Sequence, residues 1–411
     1  MYQNLHNNLL FKELKYSKFF SDRMHGIPRS FIREILKVAI CNDIISFAGG
    51  LPNRDIFPVK ELQESTQKVF AIGGKDIFQY SNSEGYLPLR EYIANRYYDK
   101  LNIKISPDQI LITSGSQQGL DLVGKVLIDQ SDNIVIEKPG YLGAIQAFSV
   151  YKPEFVPIPL YENGIDTFVL RSESDCRDIK LLYAVPDFQN PSGISYSETI
   201  RNEVADIAES KNFLLVEDTP YSDLRFNGQS TNNFYKMYPH RTILLGTFSK
   251  TVVPSFRMGW IVAPQEIIDK LLIAKQAADL HTNYFTQRVL YQYLTDYNID
   301  DHISKITEVY GRQRNKMVEC IQEYLPDGCD YTKPDGGMFL WITLPEGLSS
   351  MDLFNLAIKR KVAFVPGNPF YTDGRDRYST LRLNFSCSNE AAIETGIKRL
   401  GEAIMELKQQ V

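Results

Sequence analysis

From about residue 60 to residue 290 the chain alternates short apolar runs with longer stretches whose apolar residues return at helical spacing. The short runs are Gln109-Ile-Leu-Ile112, Asn133-Ile-Val-Ile-Glu137, Leu181-Leu-Tyr-Ala184, Phe213-Leu-Leu-Val-Glu217, Thr242-Ile-Leu-Leu245 and Met258-Gly-Trp-Ile-Val-Ala263. A run this short and this apolar reads as a strand buried on both faces of a parallel sheet. Between such runs lie helical patterns such as Leu120-Asp-Leu-Val-Gly-Lys-Val-Leu-Ile128. The alternation predicts an α/β fold with a doubly wound, mostly parallel sheet. After residue 300 the pattern changes. Residues 302–325 read as one long helix, followed by strand-like Gly336-Gly-Met-Phe-Leu-Trp-Ile-Thr-Leu344, a helical 351–361, Val362-Ala-Phe-Val365, a strand over 379–385 and a closing helix over 389–408. These predict a smaller α+β domain. The 411 residues exceed one ordinary domain. The expected division is a large domain over 50–300 and a small domain made of 1–49 with 301–411, with a crevice between them.

Hydrophobic content of 43% and charged content of 23% are ordinary for a globular protein. The net charge of −5 argues against nucleic-acid binding, which wants a basic face. Cys41, Cys176, Cys320, Cys329 and Cys387 are scattered, odd in number and without a C-x-x-C, so they read as free thiols in a reducing compartment. Five scattered histidines suggest no metal site. The start of the chain lacks a basic segment followed by a long apolar run, and no apolar run approaches the ~20 residues of a membrane span. A cytoplasmic location with no membrane partner is the expectation.

The candidate chemistry lies at or just past the carboxyl ends of the apolar runs, where open α/β sheets bind ligands. Asp218 follows Phe213-Leu-Leu-Val-Glu217 and leads into Asp218-Thr-Pro-Tyr221. Thr247-Phe-Ser-Lys250 follows Thr242-Ile-Leu-Leu245, and Arg257 immediately precedes the Met258–Ala263 run. Together these groups meet the needs of pyridoxal 5'-phosphate (PLP). Lys250 supplies an amine to bond the aldehyde, and Asp218 a carboxylate that keeps the pyridine nitrogen protonated. Tyr221 supplies a hydroxyl for the phenolic oxygen, and Thr247, Ser249 and Arg257 supply hydroxyls and a guanidinium for the phosphate. Upstream, Thr113-Ser-Gly-Ser-Gln-Gln-Gly119 joins a strand to a helix whose free backbone N–H groups suit an anion. Tyr141, after Pro139-Gly140, would stack on a flat ring, and Asn190 would donate to the ring oxygen.

With these motifs in place the chain resembles the fold-type I, class I/II PLP-dependent aminotransferases, and within them the 2-aminoadipate/kynurenine branch. The resemblance rests on Ser46-Phe-Ala-Gly-Gly-Leu-Pro52, Gln79-Tyr-Ser-Asn-Ser-Glu-Gly85, Gln189-Asn-Pro-Ser-Gly193, Ala274-Lys-Gln-Ala-Ala-Asp-Leu-His-Thr282, Val365-Pro-Gly367 and Leu381-Arg-Leu383, besides the segments already named. It runs from about residue 30 to the end. It implies ping-pong transfer of an amino group from an L-α-amino acid to a 2-oxo acid such as 2-oxoglutarate, in a homodimer with shared sites. It further implies that Lys250 holds PLP and moves the substrate proton, Asp218 pairs with the ring nitrogen, and Tyr221 and Asn190 bond the phenolic oxygen. Tyr141 would stack on the ring, and Ser116, Gln117, Thr247, Ser249 and Arg257 would bind the phosphate. Tyr80 would reach the phosphate from the other subunit. Arg382 would clasp the substrate's α-carboxylate, and Gly50 would bring backbone close to the substrate. His281 reads as a structural histidine.

The resemblance strains at the substrate's far end. Relatives acting on 2-aminoadipate carry an arginine on an early helix, which corresponds here to Ile27-Pro-Arg-Ser-Phe-Ile-Arg-Glu-Ile-Leu-Lys37. The matching position is Gly26, with Arg23 and Arg29 nearby as replacements. Dicarboxylic, aromatic, leucine-like and broad specificity therefore all stay open. Two other functions share the fold: a PLP-dependent β-lyase, and the PLP-sensing domain of a transcription regulator. The latter carries a winged-helix domain of roughly 60–80 residues, and about 45 residues precede Ser46 here.

Overall fold

A computed structural model describes residues 16–25, 27, 43–373 and 378–410. Among the described residues there are fourteen strands: β1 (Ile45–Ser46), β2 (Ile110–Thr113), β3 (Asn133–Lys138), β4 (Glu154–Tyr161), β5 (Gly164–Ile165), β6 (Ile179–Ala184), β7 (Leu214–Asp218), β8 (Thr242–Thr247), β9 (Gly259–Val262), β10 (Asp330–Tyr331), β11 (Phe339–Thr343), β12 (Val362–Ala363), β13 (Val365–Pro366) and β14 (Thr380–Asn384). Eight form one sheet in the order β2-β9-β8-β7-β6-β3-β4-β5. Neighbours from β8 through β4 are parallel, and β9 runs against both β8 and β2.

The apolar runs are strands because both faces of this sheet are covered. Side chains alternate between two cores, as the period-two geometry of a strand requires. Ile134, Ile136, Leu181, Tyr183, Val216, Ile243 and Leu245 enter one core. Val135, Leu182, Ala184 and Leu215 enter the core on the opposite face. From β3 the chain winds one way to β4, then returns past β3 to lay down β6, β7 and β8. The direction of winding reverses at β3, and a crevice opens beside such a reversal at the carboxyl ends of the strands.

After the 26-residue helix Ile299–Tyr324, a four-stranded antiparallel sheet has the order β10-β11-β14-β13. The Val362–Val365 run is divided, with β12 pairing in parallel with β1 and β13 pairing with β14. Phe47 N donates to Ala363 O at 2.8 Å, and Asn384 N donates to Phe47 O at 2.8 Å, so the segment just before Gly50 is tied to the C-terminal strands. Of the early helix expected over 27–37, all but Ile27 lies outside the described residues.

Candidate active site

Asp218 is the last residue of β7, at the strand's carboxyl end. Its Oδ2 accepts from Tyr183 Oη at 2.8 Å, across from β6. Its Oδ1 is buried and has no hydrogen-bond partner. Burial pushes the carboxyl up to about 7, because the charged form has lost its water. A buried carboxylate oxygen left open in this way calls for an N–H donor bearing positive charge.

β8 runs on into Thr247-Phe-Ser-Lys250. Lys250 Nζ donates to the Gly50 carbonyl at 2.8 Å. Desolvation lowers its amine to about 8, and the Arg382 and Arg257 charges push the same way. Thr247 Oγ1 lies 2.9 Å from Ser249 Oγ and accepts from Ser249 N at 3.1 Å, which holds both hydroxyls together.

The helix Ser116–Leu127 begins directly after Gly115, whose φ is +79°. A Cβ on Gly115 would stand 2.4 Å from Arg257 Nη2, and one on Gly259 would stand 2.6 Å from Ser116 N. Two glycines therefore allow the Arg257 guanidinium and the helix N-terminus to close on one spot, an arrangement suited to a phosphate. Gln117 Nε2 donates to Gly143 O at 3.0 Å and joins this turn to the Tyr141 turn. The Lys138–Pro139 and Asn190–Pro191 bonds are both cis.

On the other side, Arg382 of β14 is 2% exposed. Its Nη1 donates to Asn190 Oδ1 and its Nη2 to Ala48 O, each at 2.8 Å. Its Nε has no partner. The guanidinium carbon lies 4.3 Å from the centre of the Phe339 ring and 5.4 Å from that of Phe370. Burial lowers its pKa to about 10, so it stays charged in neutral water. Among the described residues no carboxylate pairs with it. Asn190 Nδ2 donates to Tyr221 Oη at 3.3 Å, so one amide orients both the arginine and the phenol.

One cavity of about 350 Å³ is bounded by Gly50, Ser116, Gln117, Tyr141, Asn190, Asp218, Tyr221, Thr247, Ser249, Lys250, Arg257 and Arg382. Tyr80 is not among its walls: it is 78% exposed and meets His281 edge-on, with centroids 5.8 Å apart. Arg23 is exposed and also stands outside the cavity, while Gly26 and Arg29 lie outside the described residues. Tyr183, which holds Asp218, and Phe370, which packs on Arg382, were not singled out from the sequence. A hydroxyl inside the apolar Leu181–Ala184 run was the one available signal for Tyr183.

The cavity suits PLP: an amine, an open carboxylate oxygen and an anion cradle face one space sized for a small ligand. Fold and cavity together define a PLP-dependent transferase of fold type I. The chain belongs to the class I and II aminotransferases, whose sequence profile matches residues 42–400. It is 43% identical over 399 residues to the aromatic-amino-acid aminotransferase 1 of Thermococcus litoralis, covering 96% of this chain and 95% of that one. It is 37% identical to the 2-aminoadipate transaminase of Thermus thermophilus, covering 96% and 99%. Among solved structures, the kynurenine aminotransferase of Pyrococcus horikoshii, in complex with PMP, superposes with a TM-score of 0.91 at 40% identity over 95% of this chain and 98% of its own.

Proposed function

We propose that this aminotransferase takes the amino group from aromatic and other apolar L-α-amino acids and delivers it to a 2-oxo acid, by a ping-pong mechanism. The observation that carries this reading is the buried Arg382, without a carboxylate partner among the described residues, in one cavity with Lys250 and Asp218. An unpaired buried guanidinium with a planar fork is suited to a carboxylate ligand. The cations lining the cavity are Lys250, Arg257 and Arg382, and among the described residues none is left for a second substrate carboxylate. The apolar walls include Leu142, Val185 and Phe370. The relative named for aromatic amino acids supports the same choice.

When bound, the cofactor supplies an aldehyde that accepts the amino group and a protonated ring that withdraws electrons from the substrate's Cα. Lys250 would hold it, Asp218 would keep the ring nitrogen protonated, and Tyr221 with Asn190 would bond the phenolic oxygen. Tyr141 would cover the ring, and Ser116, Gln117, Thr247, Ser249 and Arg257 would bind the phosphate. Arg382 would orient the α-carboxylate while Gly50, with no side chain, leaves room beside it. Lys250 Nζ would then take the Cα proton and return it. An amine lowered to about 8 has a substantial neutral fraction near neutral pH, which a general base needs.

The proposal extends to a homodimer with shared sites. Phe70, Ile72, Phe78 and Tyr80 are exposed; the Phe70 and Phe78 rings meet at a tilt with centroids 6.0 Å apart, and Phe78 stacks on Phe285 at 6.2 Å. An exposed apolar patch of this kind suits a protein partner, and Tyr80 would enter the neighbouring site from it. A large domain over 50–300 and a small one from 1–49 and 301–411, as well as a cytoplasmic location, remain part of this reading. Among the described residues no helix is long and apolar enough to cross a membrane.

The test is a stopped-flow screen of the holoenzyme against phenylalanine, kynurenine, leucine, alanine, glutamate and 2-aminoadipate, following the absorbance of the bound cofactor, with Lys250→Ala as control. Rapid change with the aromatic and apolar donors is expected. Preference for glutamate and 2-aminoadipate would overturn the specificity and point to Arg29. No change with any donor, or pyruvate release from a β-substituted amino acid without an acceptor, would overturn amino transfer itself.

A further inference from the structure

Lys275 is 0% exposed and has no part in the chemistry described above. It lies near the end of the helix Gln265–Ala278, behind the turn that carries Ser116 and Gln117. Its Nζ contacts Asp279 Oδ1 at 2.9 Å and Oδ2 at 3.1 Å, Gln118 Oε1 at 3.1 Å and Thr282 Oγ1 at 3.0 Å. These are three acceptor groups for the three protons of an ammonium. Each acceptor in turn holds either the turn or the end of β2 that leads into it. Gln118 Oε1 accepts from Ser114 N at 2.7 Å. Asp279 Oδ2 accepts from Gln118 Nε2 at 2.7 Å and Ser114 Oγ at 3.2 Å. Thr282 Oγ1 donates to Ile112 O at 3.2 Å. On the opposite side of the turn, Ser114 O accepts from Arg257 Nη2 at 3.4 Å.

We infer that the Lys275–Asp279 pair is a positioning device that sets the Ser114–Gln118 turn for the cofactor's phosphate. Ser116 and Gln117 face the cavity, while Ser114 and Gln118 on either side of them are held by the pair. The pair carries no net charge, so it acts through geometry and not by attracting the anion. The inference rests on the proposed assignment of the turn and Arg257 to the phosphate.

The test compares equilibrium binding of PLP and of pyridoxal, which lacks the phosphate, to the cofactor-stripped full-length protein. The double variant Lys275→Met/Asp279→Leu removes both charges and leaves no buried ion unpaired. Its PLP Kd should rise about tenfold or more, the scale of one lost charge-assisted hydrogen bond, with pyridoxal binding unchanged. Equal weakening of both ligands, or of neither, would overturn the inference, since a purely structural pair does not distinguish them. Gln118→Leu cuts the same link without touching the ion pair and is read by the same criterion if the double variant does not fold. Arg257→Ala is the control: if it too leaves the PLP-to-pyridoxal ratio unchanged, the phosphate assignment itself fails.

Discussion

Asp218 carries two opposing demands on one side chain. Without a cationic partner its buried carboxyl has a pKa of about 7 against 3.8 in the unfolded chain, so the folded protein binds more protons between those values. Stability of the cofactor-free protein should therefore fall as pH rises through that window. Asp218→Asn removes this loss. In thermal unfolding of the cofactor-free protein, the variant should gain on the wild type at pH 8 and show roughly two fifths of that gain at pH 5. An equal difference at both values would mean that Asp218 does not titrate as described. Arg382 gives a second residue-scale prediction. Arg382→Lys keeps a charge but loses the fork, and kcat/KM for an amino donor should drop by roughly 10²–10³, the size of a lost bidentate pair. Steady-state kinetics with phenylalanine check this. Residue identities were legible in the sequence, but their partners were not. Nothing along the chain says that Asn190 touches both Arg382 and Tyr221, because those residues lie 192 and 31 positions away from it.

At the scale of elements, glycines decide whether the Ser114–Gln118 turn can close against Arg257. Gly115 has a positive φ, and any side chain there would displace the Arg257 guanidinium. Gly115→Ala should still fold, because the end of a long side chain can swing away, and that swing is the defect. Equilibrium titration should show PLP binding weakened by about tenfold or more, given both the strained φ and the displaced cation. The strands were readable because a sheet covered on both faces needs unbroken apolar runs. Element ends were less readable. β8 extends through Gly246 and Thr247, because ladder hydrogen bonds to β9 set the last paired residue. β9 lies antiparallel in an otherwise parallel region, and this direction brings Arg257, ahead of the strand, to the edge where β2 and β8 end.

For the whole molecule, the shared-site proposal makes its own prediction. Mixing Lys250→Ala chains with Tyr80→Ala chains, after dissociation and reassociation, should restore activity to about a quarter of the sites, since random pairing makes half the dimers hybrid and each hybrid carries one intact site. Activity no greater than the sum of the two parents would show that Tyr80 acts within its own chain or not at all. Periodicity of apolar residues determined the α/β sheet and its mostly parallel winding, because each strand must match a solvent-free environment on both faces. Residue types at the ends of those runs determined what chemistry was available. Only the tertiary structure decided which groups meet. The shared direction of β2, β3, β6, β7 and β8 brings their carboxyl ends to one edge, and β14 brings Arg382 across from the far end of the chain. Burial in that space then leaves Asp218 Oδ1 open and lowers the Lys250 amine, because desolvation depends on what surrounds a charge and not on its neighbours in sequence.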